Sequence, residues 1–426
     1  MTSTQLRTFL LLATGIVALP AHAQYSFGSV ASTATIGGAT AFSSNNRSYI
    51  NNSGNVSFTA TVSSNTTLFK NIAGSNTVVA AQSGSTPYGN GSTYGTNIDA
   101  INVTLDDSNR VTYRGDGAVG TGTPALVAGD NTAIVRDSTV VSREGTTAVD
   151  SSTPNTFSNY DANNSATTAY AGTLNAGGNS VFSVTSGGVF TRLISSGTAA
   201  TGTNANFNTF SFVDIDNSGN VSFQSALTGG TTAGGLFTVT AGGATSKIAA
   251  LGETDTGGVS TYSAFFGIAR SDAGTIAATA TAGGLRGVYA GTGNSLTSLV
   301  AQQGQTILGA TYSNGLTLGN INANGIGVFR ATSLTGGTFT SAIFTFNAAG
   351  QVSKVLAQGD PVFGSTASAF GIPTINDSGF VAFNYTLANA SQGVLVAVVP
   401  EAGTMALLLA GGSLLGGVLV SRRKKA

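Results

Sequence analysis

Short runs of alternating apolar and polar residues, separated by turn-forming residues, fill the chain from about residue 30 to residue 399. The run "VAFNY" (381–385) is rich in residues that favour strands, and so are "AIFTF" (342–346) and "VSKVLA" (352–357). No stretch of this body keeps the periodicity of an amphipathic helix. The pattern therefore predicts an all-β protein.

A pattern of the form Asn-x-x-Gly-x-x-small-aromatic recurs along the body. Asn suits the first position of a type I turn, and Gly accepts a positive φ at the fourth. The small residue and the aromatic residue then begin a strand whose aromatic side chain is expected in the core. Four copies match well, and we predict a structural role for their residues. They are Asn51, Gly54 and Phe58; Asp216, Gly219 and Phe223; Asn322, Gly325 and Phe329; and Asn376, Gly379 and Phe383.

Three degraded copies, which begin at Asp106, Asn163 and Ser271, fall in the gaps between the strong ones. The last positions of the seven copies are 55, 57, 53, 55, 51 and 54 residues apart. A second block, "AIFTFNAAGQVSKVLAQGD" (342–360), aligns in phase with "GLFTVTAGGATSKIAALGE" (235–253) and with further copies. Chance matches would not be spaced so evenly, so the body consists of seven units.

Each unit offers about four short strands in about 54 residues, which is typical of a β-propeller blade. We therefore predict a seven-bladed β-propeller over residues 24–399. The last unit ends at "GVLVAVV" (393–399) without a fourth strand, and the N-terminal "SVASTATIGG" (29–38) is the candidate to supply it. The alternative is a β-solenoid, which exported proteins rich in Gly, Asn and Thr often form.

The first 23 residues have the features of a secretory signal peptide. Arg7 precedes an apolar run (9–19), Pro20 ends the run, and Ala-His-Ala (21–23) forms an A-x-A cleavage site. We predict cleavage by signal peptidase before Gln24 and export of the body.

The C-terminal segment, residues 400–426, contains sixteen mostly apolar residues (405–420) and then four cations. Sixteen helical residues span about 24 Å, slightly less than a hydrocarbon core of about 30 Å, and snorkelling cations can cover the difference. We predict a C-terminal transmembrane helix with its basic tail in the cytoplasm and the body outside that membrane. The tail consists of Arg422, Arg423, Lys424 and Lys425.

This end resembles the PEP-CTERM sorting signal, which an exosortase recognises in Gram-negative bacteria. The family pattern is Pro-Glu-Pro, then Gly-Thr, an apolar helix and a basic tail. The resemblance implies an intermediate anchored in the inner membrane, processing by an exosortase-type enzyme, and a final place at the cell surface or in the extracellular matrix of a biofilm rich in exopolysaccharide. An ordinary single-pass anchor is the alternative. The motif here reads Pro400, Glu401, Ala402, Gly403, Thr404, with Ala402 in place of the second proline.

The repeat resembles the NxxGxxAF tandem-repeat family of bacterial surface proteins over most of residues 30–399. The resemblance rests on the four strong copies of the turn pattern. It implies an exported surface protein and no catalytic residues, so none is carried over to this chain.

Composition excludes several function classes. The only His of the 426 residues, His22, falls in the predicted signal peptide, and there is no Cys. A mature chain without His or Cys has no Ser-His-Asp or Cys-His mechanism and lacks the usual zinc ligands.

The charge balance of the body differs from that of the whole chain. Of 17 basic residues, Arg7 and the four tail cations lie at the ends, which leaves 12 in the body. Of 17 acidic residues, only Glu401 lies at an end, which leaves 16 in the body. The mildly acidic body argues against a nucleic-acid partner.

A calcium site is the one metal hypothesis that the sequence offers. Asp214, Asp216 and Ser218 alternate within "DIDNSGN" (214–220), and oxygen ligands at this spacing bind calcium in other loops. Position twelve, where a bidentate acidic residue is expected, holds Ser225 instead. A hairpin turn is therefore the alternative interpretation.

The other charged residues of the body do not indicate a catalytic or binding site. Asp106 and Asp107 are adjacent on a predicted strand, so their carboxylates are expected on opposite faces and not as a catalytic pair. Lys247, Lys354 and Arg192 occupy equivalent positions in three units. We interpret them as solvated strand residues, with a central channel or one rim as the alternative place.

The sequence thus favours a non-enzymatic exported protein with a structural or adhesive role and without a cofactor. Only 8% of residues are charged, and abundant hydroxyl and amide groups suit weak, multivalent contact with extracellular polysaccharide. One alternative is a propeller that binds or degrades polysaccharide, which for degradation needs two carboxylates about 5–10 Å apart. A calcium-stabilised adhesin is the other.

Overall fold

The computed structural model describes residues 25–43, 46–99, 102–146, 152–337 and 339–398. The predicted signal peptide, the sorting motif and the basic tail lie outside these residues and stay predictions. Within the described part of the chain, no helix is long and apolar enough to cross a membrane.

Each repeat contains a tight turn whose fourth residue adopts a positive φ. This angle is 78° at Gly54 and 80° at Gly379, and it is kept without glycine at Asn109 (63°) and Ala166 (58°). In all seven copies the N–H of the fourth residue donates to the carbonyl of the first; Gly54 N lies 3.0 Å from Asn51 O. The expected turn conformation therefore occurs in every unit, including the degraded ones.

The strands on either side of each turn pair antiparallel, and the described residues form seven sheets, one per unit. Blades 1 to 3 consist of β2 (Ala39–Ala41), β3 (Tyr49–Ile50), β4 (Val56–Val62), β5 (Asn65–Ile72) and β6 (Ser75–Ala81); β7 (Tyr94–Ile98), β8 (Thr104–Leu105), β9 (Val111–Gly117), β10 (Thr132–Arg136) and β11 (Thr139–Arg143); and β12 (Pro154–Ala162), β13 (Thr168–Leu174), β14 (Asn179–Val184) and β15 (Phe190–Ser195).

Blades 4 to 6 follow the same order, and blade 7 also includes the first strand of the chain, β1 (Ser26–Ser32). Their remaining strands are β16 (Asn206–Ile215), β17 (Val221–Thr228), β18 (Gly234–Val239) and β19 (Thr245–Ala250); β20 (Tyr262–Arg270), β21 (Thr275–Ala282), β22 (Leu285–Thr292) and β23 (Ser298–Gln302); β24 (Thr306–Ile307), β25 (Ala310–Ile321), β26 (Gly327–Thr335), β27 (Ser341–Phe346) and β28 (Val352–Ala357); and β29 (Pro361–Val362), β30 (Ser365–Phe370), β31 (Thr374–Ile375), β32 (Val381–Leu387) and β33 (Gln392–Val398).

The blades close into a ring. The inner strand of each blade contacts the inner strand of the next, from β3 through β8, β12, β16, β20, β25 and β31 back to β3. The predicted seven-bladed β-propeller is therefore confirmed. The solenoid alternative is wrong, because rungs of a solenoid form an open stack and would not bring the last unit against the first.

The N-terminal strand completes the last blade. Strand β1 lies beside β33 as the outermost strand of that sheet. Thr33 N donates to Gln392 O at 3.0 Å, and Phe42 N donates to Gln392 Oε1 at 2.8 Å. Both ends of the body thus share one sheet, so the ring cannot open without breaking it.

The hydrophobic core lies between the blades. Each buried apolar cluster combines side chains of two adjacent blades; Val181 of blade 3, for example, shares a cluster with Phe207 and Phe223 of blade 4. The last position of the repeat falls in this core and is at most 1% exposed in all seven units. Its residues are Phe58, Tyr113, Tyr170, Phe223, Ala278, Phe329 and Phe383.

Gly393 provides a test of closure by β1. A Cβ at this position of β33 would overlap the carbonyl oxygen of Ala31 on β1 and would lie 3.0 Å from Tyr385 Oη. We expect Gly393→Ala to weaken this pairing and to destabilise the body by about 2 kcal/mol, measured as a lower melting temperature with earlier proteolysis at the N-terminus.

Gly28→Ala is the matched control on the opposite strand of the same pairing. There the nearest atom to a new Cβ is Val396 O at 4.0 Å, so the methyl group fits. Equal melting temperatures for the two variants would contradict closure by β1.

Candidate functional site in the central channel

Seven turn residues surround one opening of the central channel, and we call them the mouth ring. In six of the seven turns, a side-chain oxygen of the second residue accepts a hydrogen bond from the backbone N–H of the second turn residue in the preceding blade. Asn52 N donates to Asp107 Oδ1 at 2.9 Å, and Asp377 N donates to Asn52 Oδ1 at 2.8 Å. The mouth ring consists of Asn52, Asp107, Asn164, Asn217, Asp272, Ala323 and Asp377.

The mouth ring has one interruption and an acidic character. Ala323 has no side-chain oxygen, so it offers no acceptor to the backbone N–H of Asp272 in the preceding blade. Ala323 N itself donates to Asp377 Oδ1 at 2.7 Å, as the ring requires. With Asp107, three of the seven side chains are carboxylates and none is a cation, which makes this opening attractive to hydroxyl donors and cations rather than to anions.

The first residue of each turn lies just inside the mouth ring. The Oδ1 of Asn51 accepts from Asn55 N at 2.9 Å within its own turn, while Nδ2 donates to Asp106 O of the next blade at 3.0 Å. Asn376 Nδ2 donates to Asn51 O at 2.9 Å in the same way. The sequence predicted the bond within the turn but not the bond between blades. The signal for the bond between blades was the preference for Asn at this position. A side-chain amide both accepts and donates hydrogen bonds, whereas a carboxylate only accepts them.

Where Asp replaces this Asn, the second carboxylate oxygen takes a side-chain donor instead. Arg110 Nε lies 2.7 Å from Asp106 Oδ2, and Arg270 Nε lies 2.9 Å from Asp216 Oδ2. Asp106 and Asp107 lie in the turn after β8 and not on a strand as predicted. Asp106 is buried in its turn and Asp107 belongs to the exposed mouth ring.

The calcium candidates Asp214, Asp216 and Ser218 are distributed over different roles. Asp216 Oδ1 accepts from Ser218 N at 3.0 Å and from Asn220 N at 2.8 Å, so this carboxylate builds the turn. Asp214 points into the channel and accepts from Arg270 N of the next blade at 3.2 Å. Across the described residues, no group of three or more His, Cys, Asp or Glu side chains is arranged to hold a metal ion.

Two carboxylates of neighbouring blades, Asp161 and Asp214, face the channel two positions before their turns. Asp161 Oδ2 accepts from Ile215 N of the next blade at 3.1 Å. Asn320 has the equivalent place in blade 6, where its Oδ1 accepts from Ile375 N at 2.7 Å. This position of the repeat is therefore a third link between blades, and in blades 3 and 4 an aspartate forms the link.

The narrow channel perturbs both carboxyl groups. Burial raises the pKa of Asp161 to about 6, although the N–H of Ile215 and the charge of Arg47 favour ionisation. Burial, and then the nearby charge of Asp161, raise the pKa of Asp214 well above its usual range. Both side chains keep part of their surface accessible from the channel, so solvent and small ligands can reach these groups.

The channel contains two cavities that meet at these carboxylates. One, of about 130 Å³, lies at the mouth ring, and the other, of about 280 Å³, lies further along the channel and is called the wide cavity below. Asp161, Asp214 and Tyr49 line both cavities, and Arg47 lines the wide one. Arg47 Nη2 donates to Leu318 O at 3.3 Å.

The recurring cations Lys247, Lys354 and Arg192 lie on the outermost strands β19, β28 and β15. Lys354 Nζ is 3.1 Å from Asp360 Oδ2 in a partly exposed ion pair. The alternative that places these cations in the central channel is wrong.

Comparison with known proteins gives one family and several distant structures. The family described as "Family of unknown function (DUF7453)" matches residues 24–406. No curated protein matches the sequence.

Similar solved structures include the Dos1 propeller, at 11% identity and a TM-score of 0.41, covering 83% of this chain and 92% of that one. A gluconolactonase from Xanthomonas campestris matches at 11% identity and a TM-score of 0.35, over 70% of this chain and 85% of that one. Prolyl oligopeptidase B from Galerina marginata matches at 9% identity and a TM-score of 0.41, over 79% of this chain and 46% of that one. Similarity at this level carries no argument about function.

The gap at Ala323 allows the mouth ring to be tested. We expect Ala323→Asn to supply the missing acceptor for Asp272 N and to raise the free energy of unfolding by about 0.5–1.5 kcal/mol. Asn164→Ala removes the acceptor of Asp107 N and should lower stability by a similar amount. Denaturant unfolding measures both changes. Changes of the same sign in the two variants would contradict the role of the ring.

Asp161→Asn tests the aspartate link between blades 3 and 4. Because the folded-state pKa of Asp161 is about 6, above the ordinary 3.8, the folded chain binds the proton more tightly and this group's contribution to stability falls as pH rises from about 4 to 6. Asn keeps the acceptor and adds a donor, as Asn320 shows with Nδ2 at 2.9 Å from Ile375 O. We expect the substitution to raise the free energy of unfolding by about 1–2 kcal/mol at pH 7.5. This gain in stability should shrink toward pH 4.

Asp107→Asn is the charge-matched control, because it removes one carboxylate from the exposed mouth ring. Melting curves between pH 4 and pH 8 provide the comparison. A stabilisation by Asp161→Asn that does not depend on pH, or one that Asp107→Asn reproduces, would show that burial of Asp161 is not its source.

Proposed function

The chain belongs to the DUF7453 family, whose function is unknown, and we propose that it is a non-enzymatic, exported structural protein. On this proposal it is held at the cell surface or in the extracellular matrix, where it associates with extracellular polysaccharide. The proposal includes no cofactor and no nucleic-acid partner.

The observation that supports a structural role best is that the polar side chains of the channel connect the blades. Asn51, Asp107 and Asp161 each bond a backbone group of an adjacent blade. A carboxylate oxygen that accepts from a fixed backbone N–H is less available as a nucleophile or general base. The chemistry of the channel thus serves a rigid ring with a polar opening.

Both ends of the sequence support export. The signal peptide would direct the chain across the inner membrane, and the apolar segment with its basic tail would hold it there. Recognition of residues 400–404 by an exosortase-type enzyme would then release the body, in spite of the alanine at position 402.

The composition supports weak association with glycans. The described surface carries many Asn, Ser and Thr side chains and few charges, so hydroxyl and amide groups are the main polar contacts that it offers. Individual contacts of this kind are weak, but many of them on one rigid body, repeated over many copies, give useful avidity.

The proposal is tested with the full chain in a Gram-negative host that has an exosortase and secretes exopolysaccharide. We expect the body in the matrix fraction, shortened at both ends, and we expect Glu401→Ala to leave it in the membrane fraction. Ala402→Pro, which restores the second proline of the sorting pattern, is the matched control and should be processed at least as fast. A host strain without exopolysaccharide should release the body into the medium.

Two outcomes would contradict the proposal. One is a full-length chain that stays in the cytoplasm. The other is release of reducing ends from purified polysaccharide that Asp161→Asn and Asp214→Asn both abolish. That result would instead support the carboxylate-based enzyme, because hydrolysis of glycosidic bonds uses two such groups.

A further inference from the structure

Arg286 on β22 has an unusual environment at the wall of the wide cavity. Its guanidinium carbon lies 4.2 Å from the ring centre of Phe266. Its Nε is buried without a hydrogen-bond partner, as are those of Arg47 and Arg114, and burial lowers the pKa of the side chain. Among the described residues, no carboxylate or carbonyl accepts a hydrogen bond from this guanidinium, so a cation is held on a ring without a counter-charge.

Other arginines near the channel have a structural use that Arg286 lacks. Their guanidinium groups donate to backbone carbonyl oxygens of other blades. These bonds join Arg47 to Leu318 at 3.3 Å, Arg114 to Phe157 at 2.9 Å and Arg330 to Phe370 at 2.8 Å. Because Arg286 makes no such bond, packing of the blades does not explain why a cation stands there.

Two exposed aromatic side chains, Phe212 and Phe266, line the same cavity. They are 39% and 40% exposed, although most large aromatic side chains of this protein are buried. Both lie at irregularities in the pairing of an inner strand, where bulges turn side chains out of the regular alternation. Phe212 also has a φ of 49°, which costs energy in a residue other than glycine.

Acceptors complete the wide cavity. Asp161, Asp214 and Asn159 offer carboxylate and amide oxygens from blades 3 and 4, while Arg286 and Phe266 belong to blade 5. The volume of about 280 Å³ lies near the lower limit of small-molecule sites, roughly 300 Å³. It is suited to one sugar unit and not to a long stretch of polymer.

We propose that the wide cavity binds one acidic sugar unit, a hexuronate within or at the end of a polysaccharide. Its carboxylate would pair with the fork of Arg286, its apolar face would stack on Phe266 or Phe212, and its hydroxyls would donate to the acceptors of blades 3 and 4. Simple anions lack the hydroxyl groups that would bond to the oxygens of Asp161, Asp214 and Asn159, and they lack an apolar face for the aromatic rings. This inference rests on the proposed association with polysaccharide and names the sugar chemistry that it would recognise.

The test is calorimetric titration of the full chain in neutral detergent with a trigalacturonate probe. Maltotriose serves as the neutral probe, and acetate and inorganic phosphate serve as simple anions. We expect binding of trigalacturonate only, weakened about 10- to 100-fold in Arg286→Gln because a charged hydrogen-bonded pair is lost. Arg286→Lys keeps the charge without the fork and should bind with intermediate affinity.

Arg192→Gln is the matched control. Arg192 also lies over an aromatic ring, 6.0 Å from the centre of Phe182, but on the outermost strand β15 and away from the channel. It should bind trigalacturonate like the parent chain. Melting temperatures of all variants separate loss of the site from loss of the fold, and Phe266→Ala, which removes the platform and keeps the cation, should also weaken binding.

Three results overturn the inference: equal binding of maltotriose, equal binding of acetate or phosphate, or unchanged affinity in a folded Arg286→Gln variant. An error in this inference on the wide cavity can be distinguished from an error in the proposed function. If the chain does not bind trigalacturonate but still enters the matrix fraction in a polysaccharide-dependent way, only the inference on the wide cavity is wrong.

Discussion

The hydrogen bond from one turn to the next blade is the interaction on which this ring depends. A closed ring of seven sheets must satisfy the polar groups of the inner turns, whose first residues are buried in all seven blades. Asn51 meets both needs with one side chain, because its oxygen completes its own turn and its amide reaches Asp106 O. Each such bond contributes only about 1 kcal/mol net, whereas a buried group left without a partner costs about 1–3 kcal/mol. The repeat of this residue type therefore reflects a cost avoided in the four blades that have it, at Asn51, Asn163, Asn322 and Asn376.

The parts of the fold that were predictable from sequence are those set by local chemistry and by period. The turns follow from Asn and Gly at fixed spacing, and the seven-fold count follows from the distance between copies. Ala166 and Asn109 lack the glycine signal, yet both adopt positive φ because the pairing of the strands on either side requires the same turn. Closure by β1 was predictable from a missing strand, since a blade with an open edge is unfavourable.

The channel was less predictable, because side chains on the inner strands do not follow regular alternation. Pairing of β16 with β17 shifts register between Ser211 and Asp214, and that of β12 with β13 shifts between Phe157 and Asn159. A bulge moves later side chains to the opposite face. The sequence offered a calcium interpretation for Asp214 and indicated no role for Asp161 or Arg47. Comparing the residue two places before each turn would have shown the two carboxylates in adjacent units.

A repeated scaffold also indicates where to look for residues that are not needed for folding. Contacts in this ring run mainly between neighbouring blades, so a change in one blade affects two seams and leaves the other five intact. Arg114 and Arg330 show what an arginine does when the ring requires it: each bonds a carbonyl of the next blade. Arg286 departs from that use in blade 5, next to an exposed ring on a bulged strand. A half-buried cation without a counter-charge is costly to keep. That cost is understandable if the missing counter-charge arrives with a ligand.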